Sequence, residues 1–161
     1  MIAVIDTGPL VYLTQLNQLT LLQALYEPYA PSSVLDEISA WSSKARRLVQ
    51  AAADDWLTVV PVTNVSLRDH LLPQIDLGEA EVIALAIELG TLRVLLDDQD
   101  ARRSARLHGL QPMGTLGLLL KAKRRGLLSA IRPEIDRLAQ TNFYFSAALI
   151  AEILLAAGEE A

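Results

Sequence analysis

Apolar residues along the chain alternate between unbroken β-branched runs and repeats at helical spacing. Ile2-Ala3-Val4-Ile5 lacks polar alternation, as a parallel strand buried on both faces should, and Asp6-Thr7-Gly8-Pro9 ends it. Leu10, Leu13 and Leu16, then Leu19, Leu22 and Leu25, predict one or two short helices with Asp6 or Thr7 at their amino end. Tyr29-Ala30-Pro31 reads as a short second strand. Ser32-Ser33 then caps a helix that carries Val34, Leu35, Glu37 and Ile38. The Ala-, Lys- and Arg-rich stretch from Trp41 to Asp55 predicts another helix or helical pair, and Leu57 to Val62 a strand with Pro61 near its end.

A polar stretch from Thr63 to Ile75 leads to the most regular helical pattern, in which Val82, Ile83, Leu85, Ala86 and Leu89 follow Glu79 and stop at Gly90. Arg93-Val94-Leu95-Leu96 is a second buried run, ended by Asp97-Asp98 and followed by a basic helix from Ala101 to His108. Leu110 to Met113 predicts one more strand, and 116–123, 133–140 and 146–157 predict helices. Buried strands alternating with helices imply an α/β fold, a three-layer α/β/α sandwich around a central parallel sheet. No repeat or linker divides residues 1–161, so one domain is expected, with only Gly158 to Ala161 as a frayed tail.

Composition narrows the chemistry. Fourteen Lys and Arg against nineteen Asp and Glu give a formal charge of -5, which argues against nonspecific coating of nucleic acid. The absence of Cys excludes disulfides, a thiol nucleophile and iron–sulfur clusters. No apolar run approaches the ~18 residues of a membrane span, and the amino terminus does not read as a signal peptide, so a cytoplasmic protein without membrane contact is expected.

In parallel α/β sheets ligands bind outside the carboxyl ends of the strands, where Asp6 and the Asp97-Asp98 pair are expected. Glu79, in the first turn of its helix, and Glu37 fall near the same edge. Gathered carboxylates repel one another unless a cation lies among them. A hard divalent ion, Mg²⁺ or Mn²⁺, suits an all-oxygen set, and only two His with no Cys argue against zinc. Such an ion activates water and stabilises displacement at phosphorus, so phosphodiester hydrolysis leads. No nucleophile-elbow, Walker or dinucleotide motif competes.

The ordered set of apolar strand then Asp6-Thr7, Val34-Leu35-Asp36-Glu37-Ile38, Gly78-Glu79-Ala80-Glu81 and Leu96-Asp97 resembles the PIN domain. More narrowly, Ile75-Asp76-Leu77-Gly78-Glu79-Ala80-Glu81 and the run from Gly109 to Lys123 are similar to a prokaryotic PIN subfamily related to VapC toxins. The resemblance covers nearly the whole chain. It implies a metal-dependent endoribonuclease, one or two Mg²⁺ or Mn²⁺ ions, and Asp6, Glu37, Glu79 and Asp97 as catalytic and metal-binding acids. It further implies an RNA substrate, an antitoxin partner and a homodimer. The toxin branch commonly has Thr two residues before its last acid, where this chain has Leu95.

Around the four acids, Thr7, Glu81, Asp98 and Asp100 are expected as helix caps or as supports for the metal ligands. Arg102, Arg103 and Arg106 form one basic stripe and Lys121 and Lys123 begin another, both candidates for RNA phosphate. His70 and His108 read as surface residues, and Trp41 and Trp56 as core or interface anchors. The apolar face of 146–157 suits either core burial or an interface. Two other functions fit the same pattern: a PIN-like binding scaffold without activity, and a phosphohydrolase with Asp6 as nucleophile. Dehalogenase-type phosphohydrolases expect a second Asp where Gly8 stands.

Overall fold

The computed structural model describes residues 1–160. Five strands, β1 (Ile2–Ile5), β2 (Glu27–Pro31), β3 (Thr58–Val60), β4 (Arg93–Leu95) and β5 (Gln111–Met113), form one sheet in the order β3-β2-β1-β4-β5. Every pairing is parallel. The uninterrupted apolar runs are explained by two cores. Ala3, Ile5 and Leu95 face one cluster, while Val4, Val94 and Leu96 face the other.

The first core is covered by α1 (Thr7–Gln15), α2 (Leu21–Leu25), α3 (Ser32–Ile38), α4 (Ser43–Asp55) and α8 (Thr115–Arg124), with α9 (Arg132–Leu138) and α10 (Ala147–Ala156) completing that layer. The second is covered by α5 (Val65–Leu71), α6 (Leu77–Leu89) and α7 (Gln99–Leu107). The result is the α/β/α sandwich expected from the alternation of elements. Connections leaving β1 and β4 pass to opposite faces, so the crevice between these neighbouring strands opens at their carboxyl ends. Such a switch point is where α/β sheets place ligands.

Three details depart from the sequence reading. The polar stretch 63–75 contains α5, whose few apolar side chains, Leu67 and Leu71, reach the second core, and whose start is capped by Asn64 accepting from the Leu67 amide at 3.1 Å. Ser32 and Ser33 lie inside α3 and not before it; Pro31 holds the N-cap position and no side chain caps this end. The tail is tied down as far as Glu160: Glu159 binds Lys123 at 2.6 Å and accepts from the Ile131 amide at 2.7 Å, and the Glu160 carbonyl accepts from the Arg132 guanidinium. Ala161 lies outside the described residues.

Both tryptophans are peripheral to the cores. Trp56 packs against the first core, and exposed Trp41 meets Tyr12 edge-on at 6.0 Å. His70 is exposed, whereas half-buried His108 places Nδ1 2.8 Å from the Ser104 carbonyl. The apolar face of α10 divides: Leu154 is buried and Ile150 and Ile153 pack on the core, while Leu155 is 79% exposed. Among the described residues no helix is long and apolar enough to cross a membrane.

Candidate active site

Asp6 is the first residue past β1. Its amide extends the ladder to the Leu95 carbonyl, 3.1 Å away, which fixes the backbone at the switch point. It occupies the N-cap position of α1, yet its side chain makes no capping hydrogen bond. Only 8% of the residue is exposed, and Oδ1 is buried without a hydrogen-bond partner. A capping role therefore does not explain this aspartate. Burial pushes its carboxyl well above the ordinary range, opposed by the Thr7 backbone and reinforced by the charges of Asp76, Glu79 and Glu37.

Glu37 reaches the same edge from α3. The Thr7 hydroxyl donates to Glu37 Oε2 at 2.8 Å, so Thr7 acts on a neighbouring acid and not as a cap. Across from it, α6 begins with Gly78. A Cβ there would overlap Glu37 Oε1 and stand 2.9 Å from its Cδ, so only glycine lets α3 bring this carboxylate against the helix start. Burial raises the Glu37 carboxyl, and the charges of Asp76 and Glu81 add to it, while Thr7 and the Gly78 backbone oppose.

Glu79 is drawn in by a capping box. Asp76 accepts from the Glu79 amide at 2.8 Å, and the Glu79 carboxylate turns back to the Asp76 amide at 3.1 Å. Burial, followed among the raising causes by Asp76, Asp98 and Glu37, pushes Glu79 up to about 7. Glu81, expected as a cap or support, is buried, faces Arg68 at 3.6 Å and adds its charge to the field on Glu37. Asp76 is thus the acid that spacing alone overlooked, although Asp-x-x-Glu is itself a capping-box signature.

Asp97 closes β4 on the other flank. Thr115, at the start of α8, donates to it twice, from its amide to Oδ1 and from its hydroxyl to Oδ2, each at 2.7 Å. The hydroxyl that Leu95 does not provide comes from a different element. Burial raises the Asp97 carboxyl while both Thr115 bonds and Arg102 pull it down. Asp97 also comes to the start of α1, since a Cβ on Gly8 would lie 3.5 Å from its Oδ2. Replacing Thr115 with Val leaves the amide bond and removes the hydroxyl. This is expected to cut any cleavage activity about 10- to 100-fold, the usual cost of losing a ligand's hydrogen-bonded support, while Thr115→Ser restores it. Steady-state assays of the three proteins check this.

The remaining candidates are tied to local partners. Asp98 caps α7 by accepting from the Ala101 amide at 2.9 Å, and exposed Asp100 pairs with Arg103 at 3.5 Å. Arg102 spends its guanidinium on the Leu96 and Asp97 carbonyls. Lys121 donates to the Tyr26 hydroxyl at 2.7 Å, and Lys123 is held by Glu159. Arg106, in the last turn of α7, has no ion-pair partner among the described residues.

A family model, DUF3368, described as a PIN domain, matches residues 2–159. The chain belongs to the PIN-domain family. No curated protein matches it at a significant level. PIN domains are generally nucleases and typically use divalent metal ions, so this PIN domain carries a nuclease fold.

The acids of this PIN domain test that expectation directly. Among the described residues no three His, Asp or Glu side chains form a ready-made cation cage. Instead, Glu37, Glu79 and Asp97 each lean on a hydrogen-bond donor of their own, and Asp6 keeps an oxygen with none. Asp6, Glu37, Glu79 and Asp97 all have carboxyls raised by burial. Raised carboxyls and an orphaned oxygen are what a small hard cation relieves, and an all-carboxylate donor set is what it prefers. The residues present fit a divalent ion.

Proposed function

We propose that this PIN domain is a Mg²⁺- or Mn²⁺-dependent endoribonuclease. The observation that carries the reading is Asp6, buried at the switch point with an unpartnered oxygen and in the repulsive field of Glu37 and Glu79. A side chain this costly contributes nothing to folding that an amide would not do better, which points to binding.

In this reading Asp6, Glu37, Glu79 and Asp97 hold one or two divalent ions. A bound ion supplies the positive charge that eases ionisation of water and offsets charge building on the phosphodiester. Thr7 orients Glu37, and Thr115 fixes both oxygens of Asp97, so neither carboxylate swings when the strand enters. Burial and the neighbouring acids hold the ion-free Glu79 carboxyl up at about 7, so an ion binding there would displace a proton near neutral pH. In this reading the four acids line the switch-point crevice, an open site that suits an extended strand. Gly8 supports hydrolysis by water over an aspartyl intermediate, because dehalogenase-type phosphohydrolases expect a second Asp at that position.

The similarity to VapC toxins supports a toxin role with an antitoxin partner, and the exposed part of α10, with Leu155 at its surface, supports a homodimer. Removal of divalent ions is the direct test. Chelation is expected to stop cleavage of single-stranded RNA, and Mg²⁺ or Mn²⁺ to restore it, with the ion also raising the thermal midpoint by binding only the folded state. Cleavage that persists at full rate in chelator refutes the assignment.

A further inference from the structure

A depression of about 450 Å³ lies between α8 and the strands β4 and β5. Arg93, Gln111, Lys121 and Arg124 line it, and no acidic side chain does. Arg93 opens β4 and Gln111 pairs with it at the start of β5, whereas Asp97 follows the other end of β4, roughly 13 Å further along an extended chain. The end nearer Asp97 is apolar, formed by Leu95 and by Met113, whose side chain lies against Gly117. Cations and acids thus occupy opposite ends of one strand.

Arg93 is the residue that needs explaining. It stands opposite Ala3 as Leu95 stands opposite Ile5, and Ala3, Ile5 and Leu95 all face the first core, so the pleat puts Arg93 on that face, beneath α8. The residue is half-buried, and among the described residues its guanidinium has no ion-pair partner; its backbone amide alone reaches a side chain, Thr91 Oγ1 at 3.3 Å. A charge on a core-facing strand position is costly unless an anion meets it. The two cations of α8 would be ordinary by themselves, since the last turn of a helix favours positive charge. Arg93 has no such helix to serve. Buried Tyr26 accepts from Lys121 Nζ at 2.7 Å, which fixes the ammonium and leaves two of its N–H groups for another acceptor. Arg124 reaches only the Ala156 carbonyl, at 3.4 Å.

The surroundings narrow what could meet these donors. The Gln111 amide bonds to the Leu92 carbonyl at 2.6 Å and the Met113 carbonyl accepts from the Leu96 amide at 2.9 Å, so both turn toward β4 and Pro112 is left on the outer edge of the sheet. Proline has no N–H to give, so a peptide strand adding to this edge lacks the donor its ladder needs. Three cations without an acid exceed what one carboxylate neutralises, whereas a phosphate monoester brings close to two charges and three acceptor oxygens. The volume falls within the roughly 300–1,000 Å³ of small-molecule sites. We propose that this depression binds a small organic phosphate monoester, its phosphate held by Arg93, Lys121 and Arg124 and its apolar body lying against Leu95, Met113 and Leu120. The site is separate from the four acids and does not depend on the nuclease reading.

The test is calorimetric titration of phenyl phosphate into the metal-free full chain, with inorganic phosphate as the head without a body and benzoate as the body with a carboxylate. Phenyl phosphate is expected to bind about tenfold more tightly than either, since only it fills both ends. Arg93→Gln and Arg124→Gln should each weaken it about tenfold or more, the cost of one charge-assisted bond. Arg103→Gln changes the net charge equally but lies on α7 beside Asp100, and should leave the affinity unchanged. Without ligand, Arg93→Gln is expected to hold or raise the thermal midpoint, because it removes an unpaired cation from a core-facing position. Arg124 is exposed, so its variant keeps the fold and reads binding independently. No binding of phenyl phosphate overturns the proposal, as does equal affinity in the parent and in both variants. Benzoate binding as tightly makes this a carboxylate site, and inorganic phosphate binding as tightly removes the organic body; either result overturns the class proposed. An equal loss in Arg103→Gln reduces the effect to overall charge and overturns the site.

Discussion

Asp6→Asn is expected to lower metal-dependent RNA cleavage on the order of 10³-fold or more while making the metal-free protein harder to unfold at neutral pH. The first effect follows if a divalent ion supplies several kcal/mol of charge stabilisation and Asp6 is among its ligands. The second follows from where the carboxylate sits. It is buried, one oxygen has no partner, and Glu37, Glu79 and Asp76 all raise its carboxyl. An amide of nearly the same shape removes the charge that burial penalises. A mere structural role for Asp6 predicts the opposite for stability, because losing a useful cap or bond lowers the midpoint. Parallel measurement of cleavage and of thermal unfolding in chelator separates the two. A variant that is both inactive and less stable would show that Asp6 serves the fold.

The position of Asp6 was legible in the sequence because a strand buried on both faces has only one place to put a charge, its end. Asp97 was legible for the same reason. Glu37 and Glu79 were not legible in that way, since a glutamate on a short helix is usually solvated. Resemblance to known motifs singled them out, and the structure supplies the reason they sit where they do: Gly78 makes room for one, and the capping box turns the other.

What stayed hidden depended on pairing across long loops. Thr115 is eighteen residues from Asp97 and meets it only because β4 and β5 lie side by side in register. Asp76 was concealed by its own commonness, an acid before a helix. Helix α5 was concealed by its composition, because an element with two core contacts carries too little periodicity to register. The basic stripes illustrate the converse. Charge runs are visible in any sequence, but only the fold shows that Arg102, Arg103 and Lys123 are held by neighbours while Arg93 and Arg124 gather in one groove.

Glu79→Gln is expected to remove the share of the pH dependence of metal-free stability that Glu79 contributes between about 4.5 and about 7, and to abolish the dependence of metal affinity on the proton that Glu79 holds. The folded carboxyl lies at about 7 against an ordinary 4.5, so in that interval the folded chain binds more protons than the unfolded one. Stability therefore falls as pH rises from the lower value to the higher and levels off above it. Glutamine carries no proton to lose. The variant should match the wild type near pH 4 and exceed it above pH 7, by roughly 2 kcal/mol once solvent screening of a half-exposed group is discounted. For a chain of this size that is about 4 to 8 °C in midpoint.

A divalent ion cancels this fall in the wild type, because it binds the ionised form and its affinity rises as the proton leaves. With saturating Mg²⁺ the Glu79 carboxyl stays ionised in the fold, so the wild-type midpoint should lose its Glu79-linked fall across the same interval, and Glu79→Gln should lack that fall with or without ion. Unfolding curves at a series of pH values, with and without ion, read both effects from two proteins. If the metal-free wild type is flat between pH 4.5 and 7, Glu79 is already ionised in the fold, and the crowding of charge that draws a cation to this edge does not include it.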